Sequence, residues 1–447
     1  MSGGALPERA AAAIRGSAAA AGRALEVALV KAPTQSLESA FGAPRMLYVV
    51  NSDWFFLSHR LRLAQAARAA GLAVTVVAPD TGRAADILKE GFGFVRLPLC
   101  RSGTAISGEL RTLAFLIRLY RRLTPDIVHH VTPKPVLYGS VAARLRGSAA
   151  VVNAITGLGY AFSSRDRILL RHTVRLLYRL ALGGISRHRA VFQNPDDRAE
   201  FLSLGLVPEH QTALIRGAGV DCAEFHPTPE PDGTPVVLLA SRMIWDKGIR
   251  EFVEAARLVN RPARRARFRL VGASDSQNPT AVPTAQLQAW DRDGLVEYCG
   301  HRNDMPQVLA EANLAVLPSY YREGLPKSLL EAAAAGRAVI TTDAPGCREA
   351  VKPGITGLLV PPRNAEALAA AISDLLDDPS RRARMGRAGR EMALGEFANE
   401  IVIRQTMAVY RDLLGARWPT PHADGHRPVD APERRAENTQ PTLSDIG

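Results

Sequence analysis

Between Met46 and Pro362, short apolar runs alternate with stretches in which apolar residues recur every three or four positions. The first run, MLYVV (46–50), is followed by LSHRLRLAQAARAAG, which has the spacing of a helix face and stops at Gly71. AVTVVAP, FVRLPL, DIVHHV, AVVNAI and RAVFQN are further strand candidates, with helical patterns between most of them. A Pro- and Gly-rich stretch, HPTPEPDGTP (226–235), interrupts the rhythm. It resumes with VVLLAS, FRLVG, LVEYCG, LAVLPS, AVITTD and GLLVPP. Continuous apolar runs between helices belong to parallel strands covered on both faces. Two successive open α/β units therefore predict two Rossmann-like domains facing across a cleft, 45–225 and 226–394. A last helix, 395–417, has no strand after it and is expected to cross back to the first domain.

The flanks lack this rhythm. The Ala-rich residues 1–44 read as a poorly ordered leader without the compact apolar core of a signal peptide. The polar, Pro-rich residues 418–447 read as a disordered tail. Cys100, Cys222, Cys299 and Cys347 form no C-x-x-C pair, which argues against a disulfide framework or a zinc site and fits a reducing cytoplasm. No apolar run approaches the ~18–20 residues needed to span a bilayer.

Charge changes the picture in one place. Residues 101–190 hold 14 Arg and one Lys against Glu109, Asp126 and Asp166, a surplus equal to the net charge of the whole chain, +12. Within DRILLRHTVRLLYRLALGG (166–184), Arg167, Arg171, Arg175 and Arg179 recur every four residues, among Ile168, Leu169, Leu176, Leu177 and Leu180. ELRTLAFLIRLYRRL (109–123) repeats the style. A basic amphipathic helix of this kind is expected to lie on an anionic membrane surface, each cation contributing roughly 1 kcal/mol. The alternatives are a solvated helix face or nucleic-acid binding. The interleaved leucines, in place of exposed aromatics, speak against nucleic acid.

The candidate chemistry lies in the second domain. YREGLPKSLLEA (320–331) follows the strand LAVLPS, and ligands of open α/β sheets bind beyond the carboxyl ends of strands. Pro326 suits a helix start, where free N–H groups of Lys327 and Ser328 favour an anion. Glu323 in the loop and Glu331 one turn into the helix could accept hydrogen bonds from hydroxyls on either side of that anion. A phosphate flanked by polyols is a sugar nucleotide; a capped surface helix with two solvated glutamates is the alternative. In LLASRMIWDKG (238–248), Arg242 follows a strand and Lys247 opens a helix, a planar fork and a point charge suited to adjacent phosphates.

SRMIWDKG followed by LPSYYREGLPKSLLEA resembles the retaining GT-B-fold glycosyltransferases of family 4, whose E-x7-E pattern is Glu323-x7-Glu331 here. DWFFLSHRL, TPKPVLYGSVAARL, NAITGLGYAF and LVGASDSQNP are similar to the subgroup that elongates undecaprenyl-diphosphate-linked saccharides. The resemblance covers roughly residues 45–415. It implies Arg242 and Lys247 on the donor diphosphate, Glu323 on the donor sugar, and Glu331 on the ribose. It also implies main-chain contacts from Gly324 and Leu325, with Ser319 on the donor side and YCGHRNDM, including His301, near the nucleobase. The donor is expected to be a UDP-sugar, the acceptor a lipid-diphosphate-linked saccharide, and no metal or other cofactor is expected. Two departures stand out: NSDWFF replaces a Gly pair after the first strand, and Thr156 stands about where many members have a histidine.

Further candidates are weaker. His59, Lys134 and Thr156 lie at the expected ligand edge of the first domain and are candidates for the acceptor; a structural histidine and a surface lysine are the alternatives. DRD (291–293) looks like a metal-binding D-x-D, but Gly294 after it marks a polar turn. GLGYAF lacks the third glycine of a dinucleotide fingerprint. Two rival functions share the pattern: a non-hydrolysing UDP-sugar 2-epimerase, whose acid and base carboxylates are not identifiable, and a two-lobed sugar-binding protein.

Overall fold

The computed structural model describes residues 29–30, 42–101, 103, 105–147, 149–158, 168–260, 266–275 and 277–419. The first sheet contains β1 (Leu29–Val30), β2 (Arg45–Val49), β3 (Ala73–Ala78), β4 (Gly93–Arg96), β5 (Ile127–Val131), β6 (Ala150–Ile155), β7 (His188–Phe192) and β8 (Thr212–Leu214). The second contains β9 (Val236–Ala240), β10 (Arg267–Val271), β11 (Glu297–Tyr298), β12 (Leu314–Leu317), β13 (Ala338–Thr342) and β14 (Gly357–Val360). These are two Rossmann-like α/β units, as the alternating pattern predicts.

The strand order places the ligand edge. The first sheet runs β1-β4-β3-β2-β5-β6-β7-β8 and the second β11-β10-β9-β12-β13-β14. All neighbours are parallel except β1 on β4. The order therefore reverses between β2 and β5 in one sheet and between β9 and β12 in the other. At such a reversal the following connections leave toward opposite faces and open a crevice beyond the strand ends. β5, β6 and β13 are buried at every position, which is why they read as largely apolar runs, with His129, His130, Asn153, Thr341 and Thr342 as their buried polar members.

Three features differ from the sequence reading. Leu29–Val30, inside the expected leader, pairs antiparallel with β4; the remainder of 1–41 lies outside the described residues. β8 has only three half-exposed or exposed residues, too few to give a period. Trp418, expected to open the tail, packs against the first domain's core with Arg411 over its ring; 420–447 lie outside the described residues.

The helix Asn399–Leu414 joins the two units. Its Val402, Tyr410, Leu413 and Leu414 are buried in the core built around β2, β3 and β5. The Tyr410 hydroxyl lies 2.6 Å from that of Tyr48 and 2.5 Å from Nδ1 of His129. The chain therefore crosses between the units twice, at 216–225 and at 396–400. The crossings run side by side: Val220 donates to the carbonyl of Phe397 at 2.9 Å, and Asn399 donates back to that of Val220 at 3.0 Å.

Candidate active site

β9 and β12 flank the reversal of the second sheet, and both charged motifs follow them. After β9 the chain passes Arg242 and makes a short 3-10 turn, Trp245–Lys247, closed by Gly248 at φ +76°. A side chain at Gly248 would run into the carbonyl of Pro318, so the turn needs glycine both for its conformation and for its neighbour. After β12 comes the loop 318–326, then the helix Lys327–Ala334. Lys247 Nζ donates to Glu323 Oε1 at 2.5 Å, and the Ser319 hydroxyl donates to the same oxygen at 2.9 Å. Both ends of the ion pair are buried, with side chains 10% and 11% exposed. Glu323 Oε2 has no partner among the described residues.

The first domain closes on this loop directly. Asn194, at the start of the helix Pro195–Ser203, accepts from the Asp197 amide at 2.8 Å with Oδ1. Its Nδ2 donates to the carbonyls of Glu323 and Gly324, each at 3.0 Å. Ser, Thr or Asp could cap this helix, but among the favoured capping residues only Asn also offers an amide donor for the second task. Arg322 pairs with Asp197 at 2.9 Å and with Glu200 at 2.5 Å. Thr156 and Gly157 press on the loop from the end of β6. A Cβ on Gly157, at φ +103°, would come within 2.6 Å of backbone atoms of Arg322 and Gly324. On Gly324 it would meet Gln193 and the Thr156 carbonyl carbon, and on Gly346 the carbonyl of Glu323. Backbone at 156–157 and at Gly346 thus lies directly against the loop.

A second cross-cleft contact lies at the helix start. Lys327 Nζ donates to the Ser58 carbonyl at 3.0 Å and stands 3.3 Å from Glu331 Oε1. The amides of Lys327 and Ser328 have no partner among the described residues. Burial raises the Glu331 carboxyl above its ordinary value, with Lys327 pulling the other way. His59, stacked on Phe55 at 4.3 Å, is pushed down to about 3 by burial and by Lys327, Arg60, Arg242 and Lys247. That imidazole is neutral at pH 7 and sits among cations from both domains, so the cleft offers a field that favours an anionic ligand.

Sequence reasoning therefore places Lys247, Ser319, Glu323, Gly324 and Thr156 together, with Arg242, His59 and Glu331 around the same cleft. Leu325 is buried against Gly217 in the second domain's core. One expectation needs correction, and two others are placed by their surroundings. Lys134 is not a free cation: its Nζ donates to the carbonyls of Cys100 (2.8 Å) and Gly103 (2.6 Å) and to Glu109 (2.6 Å). His301 is exposed and turned to Asn303 Oδ1 at 3.1 Å. The arginine stripe is described only in part. Arg167 and the Arg171 side chain lie outside what is described, Arg175 turns inward to within 3.9 Å of Glu200, and Arg179 is exposed beside Leu176, Leu177 and Leu180. Residues four apart drift about 40° per step around a helix. In DRD, Asp291 lies in the last turn of the helix Thr284–Arg292 and accepts the amide of Tyr298 in β11; the turn begins at Asp293. Asn194, Arg322, Asp197 and Gly157 were missed; the Asn-Pro-Asp-Asp run after β7 is a helix-start signature that could have drawn attention to the first.

Residues 234–378 match the family model "Glycosyl transferases group 1", and residues 45–187 match "Glycosyl transferase 4-like". The N,N'-diacetylbacillosaminyl-diphospho-undecaprenol alpha-1,3-N-acetylgalactosaminyltransferase of Campylobacter jejuni is 30% identical over 317 residues, covering 67% of this chain and 81% of that protein. The chain belongs to the group 1, family 4 glycosyltransferases. The UDP-Gal:alpha-D-GlcNAc-diphosphoundecaprenol alpha-1,3-galactosyltransferase of Escherichia coli is 25% identical, covering 68% of this chain and 80% of its own. Sucrose-phosphate synthase of Thermosynechococcus elongatus superimposes with a TM-score of 0.70 at 22% identity, over 83% of this chain and 100% of that one, and shares the GT-B fold.

In this glycosyltransferase the Asp197–Arg322 contact gives a pH dependence. Burial pushes the Asp197 carboxyl up to about 6, against the pull of Arg322 and Asn194; Glu200 adds to the rise. As pH falls through about 6 the carboxyl gains a proton and loosens its hold on Arg322. Because the folded value lies above the unfolded one, Asp197's own contribution to stability grows as pH falls. Turnover should therefore fall on the acid side with a midpoint near 6 before the protein unfolds, and Asp197→Asn should lower turnover at pH 7.5 and flatten that limb. An unchanged acid limb in Asp197→Asn would remove this residue from the account.

Proposed function

We propose that this glycosyltransferase moves a sugar from a UDP-linked donor, with retention at the anomeric carbon, onto a saccharide carried on a lipid diphosphate. The observation that carries the reading is the Glu323 carboxylate, fixed through Oε1 by Lys247 and Ser319, with Oε2 left without a partner among the described residues. A carboxylate held in this way can accept from a donor-sugar hydroxyl without reorienting. Lys247 and Arg242 stabilise charge on the departing diphosphate, the preorganised electrostatic help that dominates many such reactions. The amides of Lys327 and Ser328 add donors at a helix start, and Glu331 accepts from the ribose. The lipid-diphosphate acceptor is supported by the two bacterial relatives, whose names both specify an undecaprenol diphosphate saccharide.

Three helices side by side on one face of the first sheet form the surface for that lipid: Ile106–Leu123, Pro133–Arg146 and Ile168–Leu182. Ile106 (76% exposed), Leu110, Leu145, Leu176, Leu177 and Leu180 project from them. Exposed Arg111, Arg118, Arg121, Arg122, Arg144 and Arg179 lie among these side chains. Apolar tips within a basic field fit the interface of an anionic bilayer. Among the described residues no helix is long and apolar enough to cross a membrane.

Two experiments test the reading. Lys247→Ala should reduce transfer by roughly 10- to 150-fold, the range for losing a charge-assisted hydrogen bond. Glu323→Gln should lower turnover more than UDP affinity, and Glu331→Gln should weaken UDP affinity, a contact present in ground and transition states alike. If UDP binds Glu331→Gln as it binds wild type, the ribose assignment fails. For the membrane face, replacing Leu176, Leu177 and Leu180 with Ser and Arg179 with Gln should cut co-sedimentation with anionic vesicles by roughly tenfold or more. UDP affinity in solution should stay as it was. Undiminished vesicle binding would assign that face another task.

A further inference from the structure

One carboxylate is shared by two arginines from opposite sides of the cleft. Asp275, in the loop after β10, accepts with Oδ2 from Arg242 Nη1 at 2.9 Å and from Arg101 Nη2. Arg242 belongs to the second domain and Arg101 to the loop that follows β4 in the first. The Asp275 side chain is 12% exposed and that of Arg101 21%. Burial alone would raise the Asp275 carboxyl, but the two guanidiniums outweigh it and hold it below its ordinary value. It therefore carries its charge at neutral pH.

The Arg101 loop is itself preset. Lys134 Nζ bonds the carbonyls of Cys100 and Gly103, on either side of Arg101, and its third bond goes to Glu109. Glu109 is in turn held by the hydroxyl of Tyr138 at 2.6 Å. An ammonium has three donors, and here all three are spent on fixing one loop. Nothing in donor chemistry calls for such a device far along the first domain unless the arginine it presents has a target. On the other side, Arg242 has given one nitrogen to Asp275; its Nε and Nη2 have no partner among the described residues. A guanidinium oriented through one edge leaves the other edge of its planar fork free for a phosphate.

We propose that Asp275 is a positioning residue and that Arg101–Asp275 is a latch between the domains. Asp275 aims Arg242 at the donor diphosphate, and Arg101 holds Asp275 in that aim only when the cleft is closed. Closure and donor grip are then coupled through one carboxylate that fixes the set of Arg242, and by linkage the coupling is reciprocal. This rests on the reading of Arg242 as a diphosphate contact. Lys134 acts through Arg101, which gives a purpose to a cation that the acceptor does not use.

The test measures UDP affinity by calorimetry, transfer kinetics, and the distance between spin labels placed one on each domain. It uses the full chain and its Arg242→Ala, Arg101→Ala, Asp275→Ala and Arg101→Ala/Asp275→Ala variants, with thermal melts confirming that each folds. Arg101→Ala and Asp275→Ala should each weaken UDP binding by about tenfold, the scale of a charge-assisted hydrogen bond discounted for partial exposure. The double variant should be no weaker than Asp275→Ala alone, because both changes break one device. UDP should shorten the interdomain distance in wild type and fail to do so in Arg101→Ala, while Arg101→Lys should restore part of it. If Arg242→Ala binds UDP like wild type, the diphosphate reading of Arg242 is wrong. If Arg242→Ala loses UDP but Arg101→Ala behaves as wild type, or the two single losses add in the double variant, the latch is wrong and the donor reading stands.

Discussion

The buried pair of Lys247 and Glu323 is the contact around which the cleft is organised. Taking two charges out of water costs several kcal/mol each, and their attraction offsets this only when geometry is good and remaining polar atoms are satisfied. Here the offset comes from many places. Ser319 shares the load on Oε1, Gly248 lets Lys247 turn in beneath Pro318, and the loop backbone around Glu323 is tied down by Asn194. The last of these supports belongs to the other domain. The position of one carboxylate oxygen therefore depends on how two independently folded sheets meet.

That dependence explains the concentration of glycine at the meeting place. Gly157, Gly324 and Gly346 lie within backbone distance of one another's loops, and a single Cβ at any of them would overlap peptide atoms or Gln193. Close backbone packing leaves the loop little room to move. The helix Asn399–Leu414 and its neighbouring crossing at Val220 then limit how far the domains can separate.

Much of this was legible in the sequence, for identifiable reasons. Parallel strands buried on both faces give largely apolar runs, so β5, β6 and β13 were plain, whereas the three-residue β8 was not. Arg242, Lys247, Glu323 and Glu331 stood out because they follow strands at short, fixed spacings. Their cross-domain partners carry no such spacing. Asn194 and Glu323 are 129 positions apart, Asp197 and Arg322 125, and Arg101 and Asp275 174. No local period links such pairs. Lys134 was misread because a lysine at a ligand edge looks the same in sequence whether it faces solvent or three internal acceptors. In the arginine stripe a repeat of four drifts around a helix of 3.6 residues per turn, which is why Arg175 and Arg179 face differently.

The most direct measurement is made on Asn194→Ala, which touches neither substrate nor the ion pair itself. If the first domain builds the catalytic loop as described, turnover should fall by more than about tenfold, the cost of leaving buried carbonyls without their donor. UDP affinity should change by less than about threefold, because the helix start and Glu331 keep their places. Turnover equal to wild type, with the protein folded, would mean that the second domain shapes its loop alone and would contradict the account.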